Sequence, residues 1–423
     1  MAIIADKELK TYAKSKTCYL SNDQSISMKG EISIARAANT AIESQWLTGQ
    51  QLRTKSDLLK TIEHLGYVQI DTLSVVERAH HHVLWSRIPE FKSSWLSELL
   101  SEKKLFEYWG HAASFLPMKD YRFSLIRKRA YAKGKSHWFE QDKKVKRHVL
   151  SRIKREGPLQ SKDFETTEAS RQSWYYWKPA KRALEQLFME GKLMVSHRQG
   201  FQKVYDLAEN ILPSDVNTRF PTKMEYAMHL VETSVRAHGI LTEKEMHYQR
   251  GGWSDYINKA VRKMLKEGQV IEWKLEGHEQ TKFYGPAKTA IKSLEATNEK
   301  EVHILSPFDN LLIQRLRMKR LFNFDYTIEC YLPEHKRKFG YFTLPVLFGD
   351  HFIARMDPKA DRAEKIFYVR NLVFETGIHQ DDEMLTAFAA KLKSFATFNG
   401  CREIIFEKTN QKKLQQQLQK LIT

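Results

Sequence analysis

The chain has 423 residues, 42% of them apolar, which is more than one ordinary core holds and too apolar for a disordered chain, so two to four domains are expected. Lysine and arginine number 69 against 51 aspartates and glutamates, and the net charge of +18 makes a polyanion the first partner to consider. No 18-residue apolar run and no signal-peptide pattern is present, and the three cysteines, Cys18, Cys330 and Cys401, are scattered; a membrane partner, a disulfide framework and a cysteine metal site are set aside, and a soluble cytoplasmic protein is expected.

Residues 1–28 lack a clear periodicity and read as a variable arm. From Ile32 the run "ISIARAANTAIESQWL" has helical spacing, and "SDLLKTIEHLG" predicts a second helix with Ser56 as N-cap and Gly66 past its end. A phrase then recurs three times, from Trp95, Ala183 and Ala260: a helix, a polar break, a strand, a turn and a second strand. Gly200 and Gly277 mark the turn in the later two copies. In front of the second and third copies, "VKRHVLSRIKREGPLQSKDF" and "EYAMHLVETSVRAHGILTEKEM" each predict a helix, a glycine break and a short second helix. This grammar predicts three winged-helix units in tandem, over 29–136, 137–216 and 217–298. From Val302 the segments "HILSPFDNLL", "TIECYLP", "FGYFTLPVLFGDHFIARMD" and "KIFYVRNLVFE" read as strands, followed by a helical "DEMLTAFAAKLKSFATFNG". The fold class expected is α+β, with the three units followed by a mainly antiparallel, barrel-like β domain and terminal helix over 299–423.

Winged helices most often engage DNA, with a recognition helix in the major groove and basic residues on phosphates. The cations are available. "YRFSLIRKRAYAKGK" carries Arg122, Arg127, Lys128, Arg129, Lys133 and Lys135 among aromatics, and the second unit opens with Lys143, Lys144, Lys146 and Arg147. A duplex DNA partner follows.

One short stretch stands apart. After Gly66, Tyr67 to Thr72 alternates as an extended segment, with Tyr67, Gln69 and Asp71 on one face and Val68 and Ile70 on the other. The bland role for Asp71 is to cap the next helix. Ser74 and Glu77, however, have capping-box spacing, which would leave Asp71 free for chemistry.

The quoted blocks resemble a known family. Gln69-Ile70-Asp71 followed by "TLSVVERAHHHVLWSRIP", then "LFEYWGHAASFLP", "LSPFDNLL", "KRKFGYFTLPVLFGD" and "RMDPKADR", over roughly residues 30–395, are similar to the bacterial YcaQ/AlkX proteins, within the winged-helix DNA glycosylases that also include AlkZ. The resemblance implies a monofunctional glycosylase acting on N7-alkylated guanine, including unhooking of interstrand cross-links. It implies Gln69 and Asp71 as the catalytic pair, Gln-aliphatic-Asp being the YcaQ/AlkX pattern where AlkZ-type members carry Gln-aliphatic-Gln.

The residues suit that chemistry. An N7-alkylated guanine is already cationic, so it leaves without a strong general acid and without metal or other cofactor. A carboxylate at Asp71 would stabilise the sugar cation and orient or deprotonate water, and Gln69 would hold that water. Arg78 and Arg87 are candidates for holding DNA near the site, or for salt bridges. His111, at the start of the first wing, is a candidate for the cleft, and Arg127 and Lys128 for phosphate contacts. Lys336, Arg337 and Lys338, in "EHKRKFGY", read as a phosphate-gripping β-turn. His80, His81 and His82 are consecutive and point to different faces of a helix, which disfavours a metal cluster. A monomer is expected. The alternatives are a winged-helix transcription regulator without catalysis and a structural interaction module.

Overall fold

The computed structural model describes residues 29–135, 142–164, 179–286, 300–378 and 381–422. The arm expected over 1–28 lies outside the described residues.

The first part of the chain runs β1 (Lys29–Ile32), α1 (Ile34–Ser44), α2 (Lys55–Leu65), β2 (Val68–Gln69), α3 (Ala79–Trp85), α4 (Ser93–Ser101), β3 (Leu105–Trp109), β4 (Ala113–Pro117) and α5 (Tyr121–Ala132). Next come α6 (Lys143–Glu156), β5 (Leu159–Gln160), a short 3-10 turn (Ser161–Phe164), α7 (Pro179–Met189), β6 (Leu193–Gln199), β7 (Gln202–Leu207) and α8 (Ala208–Ile211). Then α9 (Lys223–His238), α10 (Glu243–Met246), α11 (Ser254–Lys266), β8 (Ile271–Leu275) and β9 (Phe283–Gly285). The chain closes with β10 (Val302–Ile304), α12 (Arg315–Phe322), β11 (Leu344–Phe348), β12 (His351–Asp361), β13 (Ile366–Phe374), α13 (Asp382–Phe398), β14 (Glu403–Phe406) and α14 (Lys412–Ile422).

Two small sheets share one order. In β2-β4-β3 and in β5-β7-β6 the strand that follows the first helix pairs with the last strand of the hairpin. In the third sheet a single bridge, Leu241 to Tyr284, occupies the equivalent place beside β9. The recurring phrase in the sequence corresponds to these hairpins. Gly200 and Gly277 take positive φ of 59° and 70° at their turns, a conformation that costs a residue with a Cβ about 1 kcal/mol or more.

The opening segment departs from expectation. Ile32 does not open the expected helix: residues 29–32, placed in the first unit, form β1, which pairs in parallel with β8 of the third. Ala37, Ala41 and Ile42 of α1 then join a core with Ile240, Trp273 and Phe324, so residues 29–44 pack with the third unit and the C-terminal region. Gly30 permits this pairing, since a Cβ there would lie 2.4 Å from the Trp273 ring. The N-cap of α2 is Thr54, not Ser56: Thr54 and Asp57 form a reciprocal capping box, and Gly66, at φ 79°, ends the helix as expected.

The C-terminal sheet runs β10-β11-β12-β13-β14, antiparallel except for the last, parallel pair. It is a curled half-barrel with unjoined edges, not a closed barrel. "TIECYLP" forms no strand; residues 327–333 are loop, and β14 and α14 supply structure the sequence pattern did not signal. The sheet and the first unit share one apolar core. Val68, Ile70, Val83 and Leu84 pack with Ile304, Phe342, Leu344 and Phe395, all nearly or fully buried. Each large aliphatic side chain so buried contributes roughly 1.5–3 kcal/mol, which makes this joint strong. No helix among the described residues is long and apolar enough to cross a membrane.

Candidate active site

The shared core sets the position of β2. Val68 and Ile70 face it, which turns Tyr67, Gln69 and Asp71 to the other side, as the alternation predicts. The strand is short but held at both ends. Asn310 Nδ2 donates to the Tyr67 carbonyl at 3.2 Å, and the Ile70 amide donates to the Ala113 carbonyl at 2.8 Å. Further along, Ala360 donates to the Val75 carbonyl, and the Glu77 amide donates to Asn399 Oδ1 at 2.6 Å. The segment after the Gln-Ile-Asp motif is thus clamped by the C-terminal half-barrel.

Asp71 caps no helix. Its Oδ1 accepts the Leu73 amide at 2.8 Å, a local turn contact, and α3 begins only at Ala79 with Arg78 at the cap and no side-chain cap bond. The capping box expected from Ser74 and Glu77 does not form. The Glu77 carboxylate instead accepts from the Arg78 amide and meets His81 Nδ1 at 3.0 Å. Asp71 is therefore free of a cap, though for a different reason from the one the spacing offered. Burial raises its pKa above the usual aspartate value, opposed by the amides of Leu73 and Thr72. No cation is among the groups that oppose the rise. A carboxylate that is partly desolvated and not ion-paired is poised to accept a proton or to face a cation.

Gln69 is buried, and its Oε1 lies 3.1 Å from Nε2 of His111, in the turn between β3 and β4. The His111 ring stands edge-on to Tyr67 and Tyr248, at 4.9 and 5.6 Å between ring centres. Burial first, then the Arg250 charge, pushes its pKa down to about 3, so the ring is neutral. A cavity opens beside this group between the first and third units, lined among others by Tyr67, His111, Phe123, Tyr226, His229 and Arg250.

On the other side of Asp71 lies the loop that leads into β11. Burial, with the Asp71 charge next, raises the pKa of both Cys330 and Tyr331, which places the carboxylate beside that loop. Tyr331 is 71% exposed, the side chain of an aromatic left in solvent next to the motif. The loop is rigidly built. The buried Glu329 carboxylate gathers the amides of Lys338, Phe339 and Gly340 at 2.8–3.1 Å. Gly340 sits at φ 146°, where a Cβ would lie 2.2 Å from Asp357. Lys336 is exposed on this loop, on a 3-10 turn rather than the expected β-turn. Arg337 is partly tied down, donating to the Leu332 carbonyl and lying over the Tyr341 ring.

The remaining candidates divide. Arg78 stacks on Phe201, from the β6–β7 turn, at 4.1 Å, and Arg198 lies over the same ring at 4.5 Å. Among the described residues the Arg78 guanidinium makes no hydrogen bond, so its donors remain for a phosphate. Arg127 donates to the Gly110 carbonyl at 3.0 Å and braces the His111 turn from behind. Arg87 takes the salt-bridge alternative, and Lys128 is a correction. Arg87 is fully enclosed, bonded to Asp309, Gln45 and the Val83 carbonyl, and has no donor to offer DNA. Lys128 is buried in a cage of Tyr121, Tyr108 and Phe106, with Nζ 3.9 Å from the Tyr121 ring centre, and burial pushes its pKa well below the usual lysine range. The charge run over 121–135 predicts a phosphate-facing surface; the run forms a helix, and the inward face of that helix takes Lys128. The three histidines each have local roles: His82 Nε2 contacts the Ile304 carbonyl, His81 contacts Glu77, and His80 is buried beside Phe115. Tyr67 shares the motif's face as the alternation predicts; Tyr331, Tyr248 and Arg250 carry no spacing in the sequence that ties them to the motif.

The sequence profile described as DNA glycosylase AlkZ-like matches residues 62–398, most of the chain. The chain belongs to the AlkZ-like DNA glycosylase family. It is thereby a DNA glycosylase, which sets aside the non-catalytic regulator. The matched span opens within α2, just before the Gln-Ile-Asp motif, and ends with α13. The fold is also that of a solved structure, the Streptomyces sahachiroi DNA glycosylase AlkZ, with a TM-score of 0.60 at 13% identity, covering 89% of this chain and 100% of that one. At that identity the likeness speaks for the fold alone.

Proposed function

We propose that this glycosylase hydrolyses the N-glycosidic bond of N7-alkylated guanine in duplex DNA, including N7-linked interstrand cross-links, with Asp71 as the catalytic carboxylate. The observation that carries this reading is the state of Asp71: it is half-buried, its proton affinity is raised, and among the described residues neither a helix N-terminus nor a cation engages it. Such a group can stabilise the positive charge that develops on the sugar as the base departs and accept a proton from the attacking water. N7-alkylation supplies the leaving-group charge, so no general acid is needed at the base.

The three helix–hairpin units are read as winged helices, organised over 29–136, 137–216 and 217–298 apart from the opening strand and helix, with the C-terminal half-barrel from 299. In this reading Arg78 and Lys336 hold phosphates on either side of Asp71, and the exposed cations of α6 extend the electrostatic footprint. The protein acts as a cytoplasmic monomer. The half-exposed setting of Asp71 favours a substrate whose base is not enclosed, which suits bulky and cross-linked adducts. The test is incubation with duplex carrying N7-methylguanine and analysis for free base. Release by the wild type and not by Asp71→Asn supports the reading; release by neither, or equally by both, contradicts it.

A further inference from the structure

The contact between Gln69 and His111 fixes more than a distance. Gln69 Oε1 is an acceptor, and it lies 3.1 Å from Nε2 of the imidazole. Two acceptors repel at that separation, so Nε2 carries the proton and donates to the amide oxygen. The ring cannot swing away, because Tyr67 and Tyr248 pack against it edge-on at interplanar angles of 78° and 63°. The groups that face it are these two tyrosines, Gln69, Arg250 and, within electrostatic reach, His238. None is an acid. Burial and the Arg250 charge keep the ring neutral down to about pH 3, so it has one N–H, and Gln69 takes it.

The consequence falls on the other end of the Gln69 side chain. With Oε1 held, Nε2 is the free end, and among the described residues it makes no hydrogen bond. An amide nitrogen donates and does not accept. Gln69 is then badly arranged to hold the attacking water, the role the motif alone suggests for it. A donor placed on the water oxygen would occupy one of its two lone pairs and make the other, which must attack, less nucleophilic. It is well arranged to grip an oxygen of the DNA. We infer that His111 is a positioning residue that locks Gln69 as a hydrogen-bond donor to an oxygen of the lesion nucleotide, leaving Asp71 to accept from the attacking water. The division suits the motif: one residue with two N–H donors for the substrate and one with only acceptors for the nucleophile. The inference rests on the base-release reading for its activity arm, and on the ring's own state for an arm that does not need activity.

The experiment joins a double-mutant cycle to a spectrum. Single-turnover release of N7-methylguanine is timed for the wild type, His111→Phe, Gln69→Met and the double variant, with thermal unfolding to show that each is folded. His111→Phe keeps a ring between the tyrosines but removes the donor. It is expected to slow release about 10-fold to 100-fold, the scale of one directed hydrogen bond. In the Gln69→Met background the same change is expected to cost almost nothing further, because there is no amide left to orient. His111→Gln, which returns an N–H donor to the chain, is expected to regain part of the rate. Equal costs in both backgrounds, or wild-type release by His111→Phe, would overturn the inference. Nitrogen-15 spectra of the ring supply the second arm. A neutral, Nε2-protonated imidazole from pH 8 to pH 5 is expected, whereas an Nδ1-protonated ring or a titration near pH 6.5 overturns the inference. If the wild type releases no base at all, the glycosylase reading on N7-alkylguanine fails, and the spectra still decide the state of His111.

Discussion

Arg87 and Asp309 form a two-pronged ion pair, NH1 to Oδ2 at 2.7 Å and NH2 to Oδ1 at 3.0 Å, with both side chains wholly enclosed. The pair joins the end of α3 to the segment between β10 and α12, so it ties the unit that carries the catalytic strand to the C-terminal region. Arg87 also donates to the carbonyl and the side-chain oxygen of Gln45, which follows α1. Three parts of the chain thus meet on one guanidinium. Removing either partner strands a buried charge. Asp309→Ala is expected to cost about 3–5 kcal/mol in chemical denaturation. The double change Arg87→Met, Asp309→Leu should cost less than the sum of the two single changes. Additive losses would mean that the pair is not energetically coupled.

Asp71→Asn should abolish or strongly reduce base release, by about 10²–10⁴-fold, while leaving affinity for duplex DNA in place. The change keeps the shape and the turn contact to Leu73 but removes the charge. The same variant should be at least as stable as the wild type at pH 7. The sign follows from the raised pKa: the folded state holds the Asp71 proton more tightly than the unfolded chain does. Stability from that proton is present at low pH and lost as pH rises past the usual aspartate value. At pH 7 the ionised carboxylate therefore opposes folding, and Asn relieves it. Thermal unfolding at pH 7 checks this, and a marked fall in melting temperature would mean that Asp71 is structural.

Base release should also have an acid limb. As pH falls through the raised pKa of Asp71, the carboxylate becomes the acid and the rate declines. The midpoint is expected above about 3.9, the ordinary aspartate value, and His111 should add no inflection near pH 6.5. A single-turnover pH profile over the range where the protein stays folded measures both.

Binding to undamaged duplex should be salt-dependent and largely indifferent to sequence. The +18 charge offers many phosphate contacts, and each phosphate neutralised should add about 0.9 to the slope of log affinity against log salt. Lys336→Ala should lower that slope, whereas Lys128→Met, inside its aromatic cage, should not change it. Titrations at several salt concentrations separate the two.

The contrast between those lysines shows what the sequence could and could not reveal. The alternation over Tyr67–Asp71 was legible because a two-residue period survives without tertiary context; its faces are as expected. The helix–hairpin phrases were legible because glycine turns and helical spacing are local. Lys128 was not, because a charge run on a helix conceals which of its members faces inward, and here aromatics from β3 and α5 enclose it. Arg87 was likewise unreadable, since its partner lies 222 residues away. The parallel pairing of β1 with β8 is a long-range choice that no local pattern announces. Within the site, Gln69 and Asp71 were legible as a pair. The His111 contact that orients Gln69, and the loop that brings Tyr331 near Asp71, depend on tertiary folding.

The most direct measurement of the central claim is a timed, single-turnover comparison of matched duplexes carrying N7-methylguanine, an N7-linked cross-link, uracil or 8-oxoguanine, with the wild type and with Asp71→Asn. Release should be fast for the two cationic lesions, far slower for the two neutral ones, and abolished or strongly slowed by the substitution. Comparable rates for neutral and cationic bases, or unchanged rates in Asp71→Asn, would contradict it.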